Sequence, residues 1–207
     1  EGEAFMDAGP KPVYIGFGSV CLPDSARTAE IVIEAAVRVG CRVILEAGWT
    51  GLGRGFRPPS GVLLLDQAPH RQLFPRMAGL VHHGGSGTTH NAARAGVPQA
   101  VVPHMLDQFY WGERVSHLGL GPAPVPEARL TVGRMAAILR DLHKPAYRHQ
   151  ARVVAGLMRK DGVEAIANAV EGFFPRVPAT RQREIPCNAP LARGSEASDA
   201  SAGMMRV

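Results

Sequence analysis

The segment His82-His83-Gly84-Gly85-Ser86-Gly87-Thr88-Thr89 gathers the residue types best suited to hold an anion. Its glycines, Gly84, Gly85 and Gly87, let the backbone come close to a ligand. A helix opening directly after them would offer unpaired N–H groups at the positive end of its dipole. A diphosphate is the natural occupant of such a turn. Thr88 and Thr89 add hydroxyl donors, and a histidine beside the turn can donate a hydrogen bond to a phosphate oxygen. The segment contains neither G-x-x-x-x-G-K-[ST] nor G-x-G-x-x-G, so the P-loop and dinucleotide fingerprints are absent from it.

Two further loops carry polar groups that could serve the same ligand: Gly18-Ser19, and His104 to Gln108 with its acid–amide pair Asp107-Gln108. Taken singly, each of these features also has a purely structural reading. A glycine-rich turn can simply join a strand to a helix, a histidine can sit satisfied in a core, and Asp107 can cap a helix. Trp49 and Trp111 read as packing residues, and Cys21 and Cys41 as small core hydrophobes.

These loops need a frame. Val13 to Phe17 reads as a buried strand closed by Gly18-Ser19, and Ser25 to Val39 as an amphipathic helix with Gly40 at its C-terminal cap. Arg42 to Leu45 is a second strand, followed by a glycine-rich loop from Gly48 to Gly55. Val62 to Leu65 is a third, ended by Asp66-Gln67-Ala68-Pro69. A short helix, His70 to Met77, leads into the strand Gly79 to His82. A helix from Gly87 to Ala95 and the strand Gln99 to Val102 complete the pattern. Continuous apolar strands separated by helices predict a parallel sheet covered on both faces, a doubly wound α/β domain. Ligands in such sheets bind at the carboxyl ends of the strands, where the loops above fall. Asp107 to Leu118, Thr131 to Leu142, Pro145 to Arg159 and Gly162 to Phe174 are predicted as further helices. Residues 1–11 read as a linker remnant, 12–174 as the folded domain, and 175–207, without periodicity, as a disordered tail.

The chain has 207 residues, 45% hydrophobic and 20% charged, the make-up of an ordinary soluble domain. Three widely spaced cysteines, with no C-x-x-C pair, argue against a disulfide framework and a zinc site and suit a reducing, cytoplasmic compartment. Neither a secretory-signal pattern nor an apolar run of membrane-spanning length is visible. The net charge of +5 comes from scattered arginines rather than a basic patch, which speaks against nucleic acid as a partner.

The order of the pieces is more specific than any one of them. Phe17-Gly18-Ser19, Gln67-Ala68-Pro69-His70, His82 to Thr89 and Pro103 to Gln108 together resemble the C-terminal, donor-binding domain of GT-B-fold family 1 glycosyltransferases, the UDP-glycosyltransferase superfamily. Phe109 to Val115, Gly119-Leu120-Gly121-Pro122 and Pro124-Val125-Pro126 are similar to the sterol 3β-glucosyltransferase branch and related bacterial enzymes. The likeness runs from about Val13 to Leu142.

The resemblance implies roles. His83, Gly85, Ser86, Gly87 and Thr88 would hold the donor diphosphate, with Ser19 near the phosphates. Asp107 and Gln108 would bind sugar hydroxyls. Gln67, Ala68 and His70 would lie along the nucleoside. In plant relatives a tryptophan stacks on uracil where Gln67 stands, so the stacking surface and the choice of uridine or thymidine stay open. The implied reaction is inverting transfer of a hexose, from UDP-glucose foremost, to a hydroxyl of a lipophilic acceptor such as a sterol or polyketide. It requires no metal or other cofactor beyond the nucleotide sugar. The general base would lie in an N-terminal acceptor domain, in cis or in trans, so this chain alone is expected to bind donor and transfer little. A non-catalytic nucleotide-sugar-binding module or regulatory subunit is the alternative. Peripheral membrane contact stays open, and Phe173 and Phe174 on an apolar helix face leave room for self-association.

Overall fold

The computed structural model describes residues 2–20, 24–159 and 161–173. It divides into two compact units, residues 1–159 and 160–207. The tail from 175 onward, Phe174 and Cys21 fall outside the described residues.

In the first unit the elements run α1 (Gly2–Asp7), β1 (Val13–Gly16), α2 (Ser25–Val39), β2 (Val43–Glu46), β3 (Val62–Leu65), α3 (His70–Leu73), β4 (Gly79–His82), α4 (Ser86–Ala95), β5 (Gln99–Val101), α5 (Gln108–His117), α6 (Val132–Asp141) and α7 (Pro145–Leu157). The five strands are all parallel, in the order β3-β2-β1-β4-β5. Strand order reverses between β1 and β4, and this is the switch point at which such sheets open a crevice. The sequence expectation of a doubly wound α/β domain holds.

Side-chain alternation explains why the strands read as unbroken apolar runs. Val13, Ile15, Val43, Leu45 and Val81 face one layer, where they meet Val32 and Ala35 of α2 and Met135 and Leu139 of α6. Tyr14, Ile44, Leu63 and Leu80 face the other, against Phe74, Met77 and Ala92. Both faces are covered, so neither can be polar. A third cluster of Val101, Val115, Leu120 and Ala151 seats α5 and α7 beside β5.

Local signals fix the element ends. Asp24 caps α2 by accepting from the Arg27 amide at 2.9 Å, and Gly40 closes the helix in the left-handed conformation. The residues read as a linker contain α1. Phe5 and Met6 of α1 pack against the second core layer, and Glu3 pairs with Arg76 at 2.8 Å. The span predicted as a helix from His70 to Met77 is α3 followed by a 3-10 turn, Phe74–Arg76, with Pro75 inside it. In the second unit, α8 (Gly162–Phe173) lines up Val163, Ile166, Val170 and Phe173 at helical spacing on one stripe.

Candidate functional site

Five loops leave the carboxyl ends of the strands, and short contacts tie them together. After β1, Phe17-Gly18-Ser19-Val20 turns back with Gly18 at φ +63°. After β4, the chain passes through Gly84 at φ +93° into α4. A Cβ on Gly84 would fall 2.7 Å from Val101 Cγ1 and 2.9 Å from the Gln108 carbonyl oxygen, so glycine here lets the middle loop lie directly on the start of α5.

His83 sits between two glycines. A Cβ on Gly18 would lie 2.8 Å from its Cε1, and one on Gly85 would lie 2.4 Å from its Nε2. Its Nδ1 is buried with no hydrogen-bond partner. Burial first, then the neighbouring His104, push its pKa below the usual histidine range, while Asp107 pulls the other way. The ring is therefore held neutral and wedged at the mouth of α4. That helix has Gly85 at its N-cap with no side chain capping it, which leaves its first-turn amides available to a ligand. Ser86 and Gly87 are exposed there, with Thr88 half-buried beside them.

The adjacent His82 has a different part. It is fully buried, accepts from the Gly84 amide at Nδ1 (3.1 Å) and places Nε2 2.8 Å from Gln99 Oε1. Both ring nitrogens are used, which fixes the neutral tautomer, and burial pushes its pKa down to about 4. Gln99 in turn donates to the Thr89 carbonyl at 3.4 Å. His82 braces the turn from below, and Thr89 itself is buried, its hydroxyl donating back to the Gly85 carbonyl at 2.9 Å.

In the loop after β5, Gln108 Oε1 accepts from the amides of His104 (2.8 Å) and Met105 (3.1 Å). Gln108 is buried, so its carbonyl shapes the loop from within, and that loop includes Leu106 at φ +51°. Asp107 is exposed, and its Oδ2 accepts from Trp111 Nε1 at 3.0 Å. His104 packs edge-on against Phe17, with ring centroids 5.3 Å apart. Neither of its ring nitrogens reaches a partner in hydrogen-bond geometry. Burial lowers its pKa, offset in part by Glu127 and the nearby Val102 backbone.

The loop Gln67 to His70 rests on a network that the sequence did not reveal. Tyr14 donates its hydroxyl to Glu46 Oε2, and His70 Nε2 lies 3.0 Å from the same hydroxyl. Glu46 Oε1 accepts from the Ala68 amide at 2.8 Å. Burial works to raise the Glu46 carboxyl, but the bonds from His70, Tyr14 and Ala68 outweigh it and hold the group below its usual range. Burial and the Glu46 charge raise the Tyr14 phenol. The His70 ring stacks on Phe74 at 4.5 Å and turns Nε2 inward, whereas Gln67 is exposed. The available signal was Glu46 itself, an acid closing an apolar strand.

Trp49 does not pack. It is 85% exposed and lines a cavity of about 520 Å³ with Gly48, Arg54, Asp66 and Gln67. Cys41 is half-buried against the first core layer, where burial lifts its thiol to about 11. Among the described residues, no group of three or more histidine, cysteine or acidic side chains is placed to hold a metal ion.

The structure thus places Ser19, His83, Gly85, Ser86, Gly87, Thr88, Asp107 and Gln108 on the loops and helix starts that follow β1, β4 and β5, with Gly18 and Gly85 against His83 and Gly84 against Gln108, and Gln67 and Ala68 on the loop after β3. The sequence model of the family described as "Erythromycin biosynthesis protein CIII-like, C-terminal domain" matches residues 30–165. The chain belongs to this family. Sterol 3-beta-glucosyltransferase UGT80B1 of Arabidopsis thaliana is 38% identical over 175 residues, 84% of this chain and 28% of that protein. Vancomycin aglycone glucosyltransferase of Amycolatopsis orientalis is 43% identical over 169 residues, 79% of this chain and 39% of that protein. The chain therefore spans less than half the length of these curated relatives. Among solved structures, the glycotransferase of kitacinnamycin superposes with a TM-score of 0.71 at 23% identity, over 82% of this chain and 44% of that one. Glycosyltransferase VinC in complex with DTDP gives 0.66 at 25% identity, over 81% and 44%. The fold is the Rossmann-like C-terminal half of a GT-B glycosyltransferase. No helix among the described residues is long and apolar enough to cross a membrane.

Proposed function

We propose that this chain binds the nucleoside-diphosphate sugar of an inverting glycosyltransferase and works with an acceptor domain in cis or in trans. The observation that carries the reading is His83: a neutral imidazole wedged between Gly18 and Gly85, with an unmet buried nitrogen, at the uncapped start of a ten-residue helix. As the bond from the anomeric carbon to the diphosphate breaks, negative charge grows on the leaving phosphate. Amides of α4 and an imidazole N–H stabilise that charge without reorganising. Ser19 and the Ser86 and Thr88 hydroxyls add donors at the same place, Asp107 accepts from sugar hydroxyls, and Gln67 lies along the nucleoside.

UDP-glucose is the donor we favour, because the relatives named above are glucosyltransferases, and a sterol or polyketide-like hydroxyl is the acceptor class. A general base must take the acceptor proton, and we assign it to the acceptor domain. The reaction is written without a metal or cofactor, since the clamp supplies the electrophilic groups itself. Cysteine usage suits a cytoplasmic enzyme, with peripheral contact to a membrane holding the acceptor.

A ligand that binds only the native state raises its melting temperature. UDP or dTDP should do so, and His83→Ala should lose most of the shift; an undiminished shift in the variant removes His83 from the clamp. Adding a separately expressed acceptor domain with donor and acceptor should restore transfer. Continued absence of transfer over a broad acceptor panel would make the chain a binding module instead.

A further inference from the structure

We propose that the cavity between α4, α5 and α7 binds a lipophilic carboxylate, and that its occupancy is felt at Asp107 through Trp111. The cavity is a feature of the fold itself; the link to sugar binding rests on the donor-binding reading above.

The cavity holds about 250 Å³, and its walls include Ala93 of α4, Val115 and Leu118 of α5, Val154 of α7, and Met158 just beyond α7. Ala93 contributes only a methyl group where a longer side chain would fill the space, and the Met158 thioether adapts to the outline of what enters. The floor is closed: Val115 is 1% exposed, Leu120 2% and Gln99 0%. Gln99 already uses its amide within the protein, with Oε1 2.8 Å from His82 Nε2 and Nε2 donating to the Thr89 carbonyl at 3.4 Å. The Thr89 hydroxyl is likewise committed to the Gly85 carbonyl. A ligand therefore meets apolar groups and engaged polar ones at the bottom, which suits an alkyl or aryl body taken from water.

The rim is different in kind. Arg114 lines it and is exposed, and the ion pairs among the described residues all lie elsewhere, so its guanidinium has no carboxylate partner there. A planar fork of donors beside an apolar slot complements a molecule with a carboxylate head: the fork takes both oxygens while the body fills the slot. A polyanion would leave the apolar floor unused, and a neutral lipid would leave the guanidinium unpaired.

The same walls reach the donor site. Trp111 lines the cavity, is half-buried, and donates its Nε1 hydrogen to Asp107 Oδ2 at 3.0 Å. Its indole stands edge-on to His90, with ring centroids 4.9 Å apart, and His90 Nδ1 lies 2.7 Å from the Ser86 carbonyl. A body in the cavity adds a contact to the indole and restricts its rotation, so the Asp107 carboxylate is held where a hexose hydroxyl would meet it. Such coupling is reciprocal: the factor by which the carboxylate raises hexose affinity is the factor by which the hexose raises carboxylate affinity.

The test uses the 207-residue chain with octanoate and 1-octanol, followed by calorimetric titration, with circular dichroism to confirm folding of each variant. Arg114→Gln should weaken octanoate by about fivefold, the worth of a partly exposed ion pair, and leave octanol unchanged. Ala93→Leu fills the slot and should weaken both by about tenfold; Val154→Phe does the same from the facing wall if α4 rejects the larger side chain. Saturating octanoate should raise UDP-glucose affinity by about fivefold and leave UDP affinity nearly unchanged, and Trp111→Phe should remove that difference. No octanoate binding, or binding indifferent to Ala93→Leu and Val154→Phe, overturns the site. Octanoate affinity unchanged in Arg114→Gln overturns the carboxylate assignment, and UDP-glucose affinity unchanged by octanoate overturns the link to Asp107. A chain that takes octanoate but binds neither UDP nor UDP-glucose refutes the donor-binding reading and the link with it, and confirms the cavity as a site.

Discussion

Gly85→Ala offers the sharpest geometric check on the clamp. Gly85 has φ −60° and ψ 138°, a conformation open to any residue, so the backbone itself does not resist the change. The new methyl would sit 2.4 Å from His83 Nε2, about 1 Å inside an ordinary contact, and the ring cannot retreat freely because Gly18 lies against its Cε1 edge. The imidazole must rotate or shift out of its slot. A hydrogen bond to a charged partner is worth about 1.5–3 kcal/mol, so UDP affinity should fall by about 10- to 150-fold. Stability should fall as well: the N-cap exchange costs about 1 kcal/mol and crowding the ring about 1–3 kcal/mol, each kcal/mol lowering the melting temperature by about 2–4 °C in a chain of this size. Calorimetric titration with UDP and a melting curve without it separate the two effects. Gly133→Ala, whose added methyl meets nothing within 4 Å, serves as control. A Gly85→Ala variant that binds UDP within twofold of the parent would refute the claim that His83 acts from this position.

Stability should also depend on pH through the buried histidines. His82 titrates near 4 in the folded state against about 6.5 when unfolded, so the unfolded chain takes up its proton first as pH falls. Stability is then complete above about 6.5, declines by about 1.4 kcal/mol per pH unit below that, and levels near pH 4 after a loss of about 3 kcal/mol. The lowered His83 and His104 act in the same direction. Urea midpoints that stay flat or rise from pH 7 to 5 would contradict this. Trp111→Phe removes the donor that orients Asp107; UDP affinity should hold while the ratio of UDP-hexose to UDP affinity changes by about fivefold, about 1 kcal/mol. An unchanged ratio would detach Trp111 from the sugar side.

What the sequence disclosed and what it hid follow from the range of the forces involved. Helix α2 spans Ser25 to Val39 as its apolar spacing predicts, because its burial is set by neighbours three and four residues apart. The strands are legible as apolar runs because both faces of the sheet are covered. Strand β2, by contrast, starts one residue later than expected and ends on Glu46. Arg42 is drawn off to the Phe5 and Pro10 carbonyls, and Glu46 is kept in the strand by Tyr14. Those partners are more than thirty residues away, and no local pattern encodes them. The same holds within the candidate site. His83, Gly85 and their neighbours form a contiguous segment and could be read together. The inward turn of His70, by contrast, depends on a hydroxyl 56 residues distant, and the solvent-facing Trp49 defies the usual preference of an indole for a core.

The strand order carries a metrical consequence. Neighbouring strands lie about 4.8 Å apart, so the five in sequence β3-β2-β1-β4-β5 span about 19 Å from first to last. On the assignments proposed above, base, diphosphate and hexose are laid along that width like marks on a ruler: base beside β2 and β3, phosphates over the β1–β4 gap, sugar beyond β5. The marks belong to separate sets of loops on one frame: the base to the sheet edge at β2 and β3, the phosphates to the loops after β1 and β4, the sugar to the loop after β5. Exchanging the loop from Pro103 to Asp107 should therefore change the preference for the sugar, and exchanging Asp66 to Pro69 the preference for the base, with His104 retained because it packs on Phe17 beside the phosphate mark.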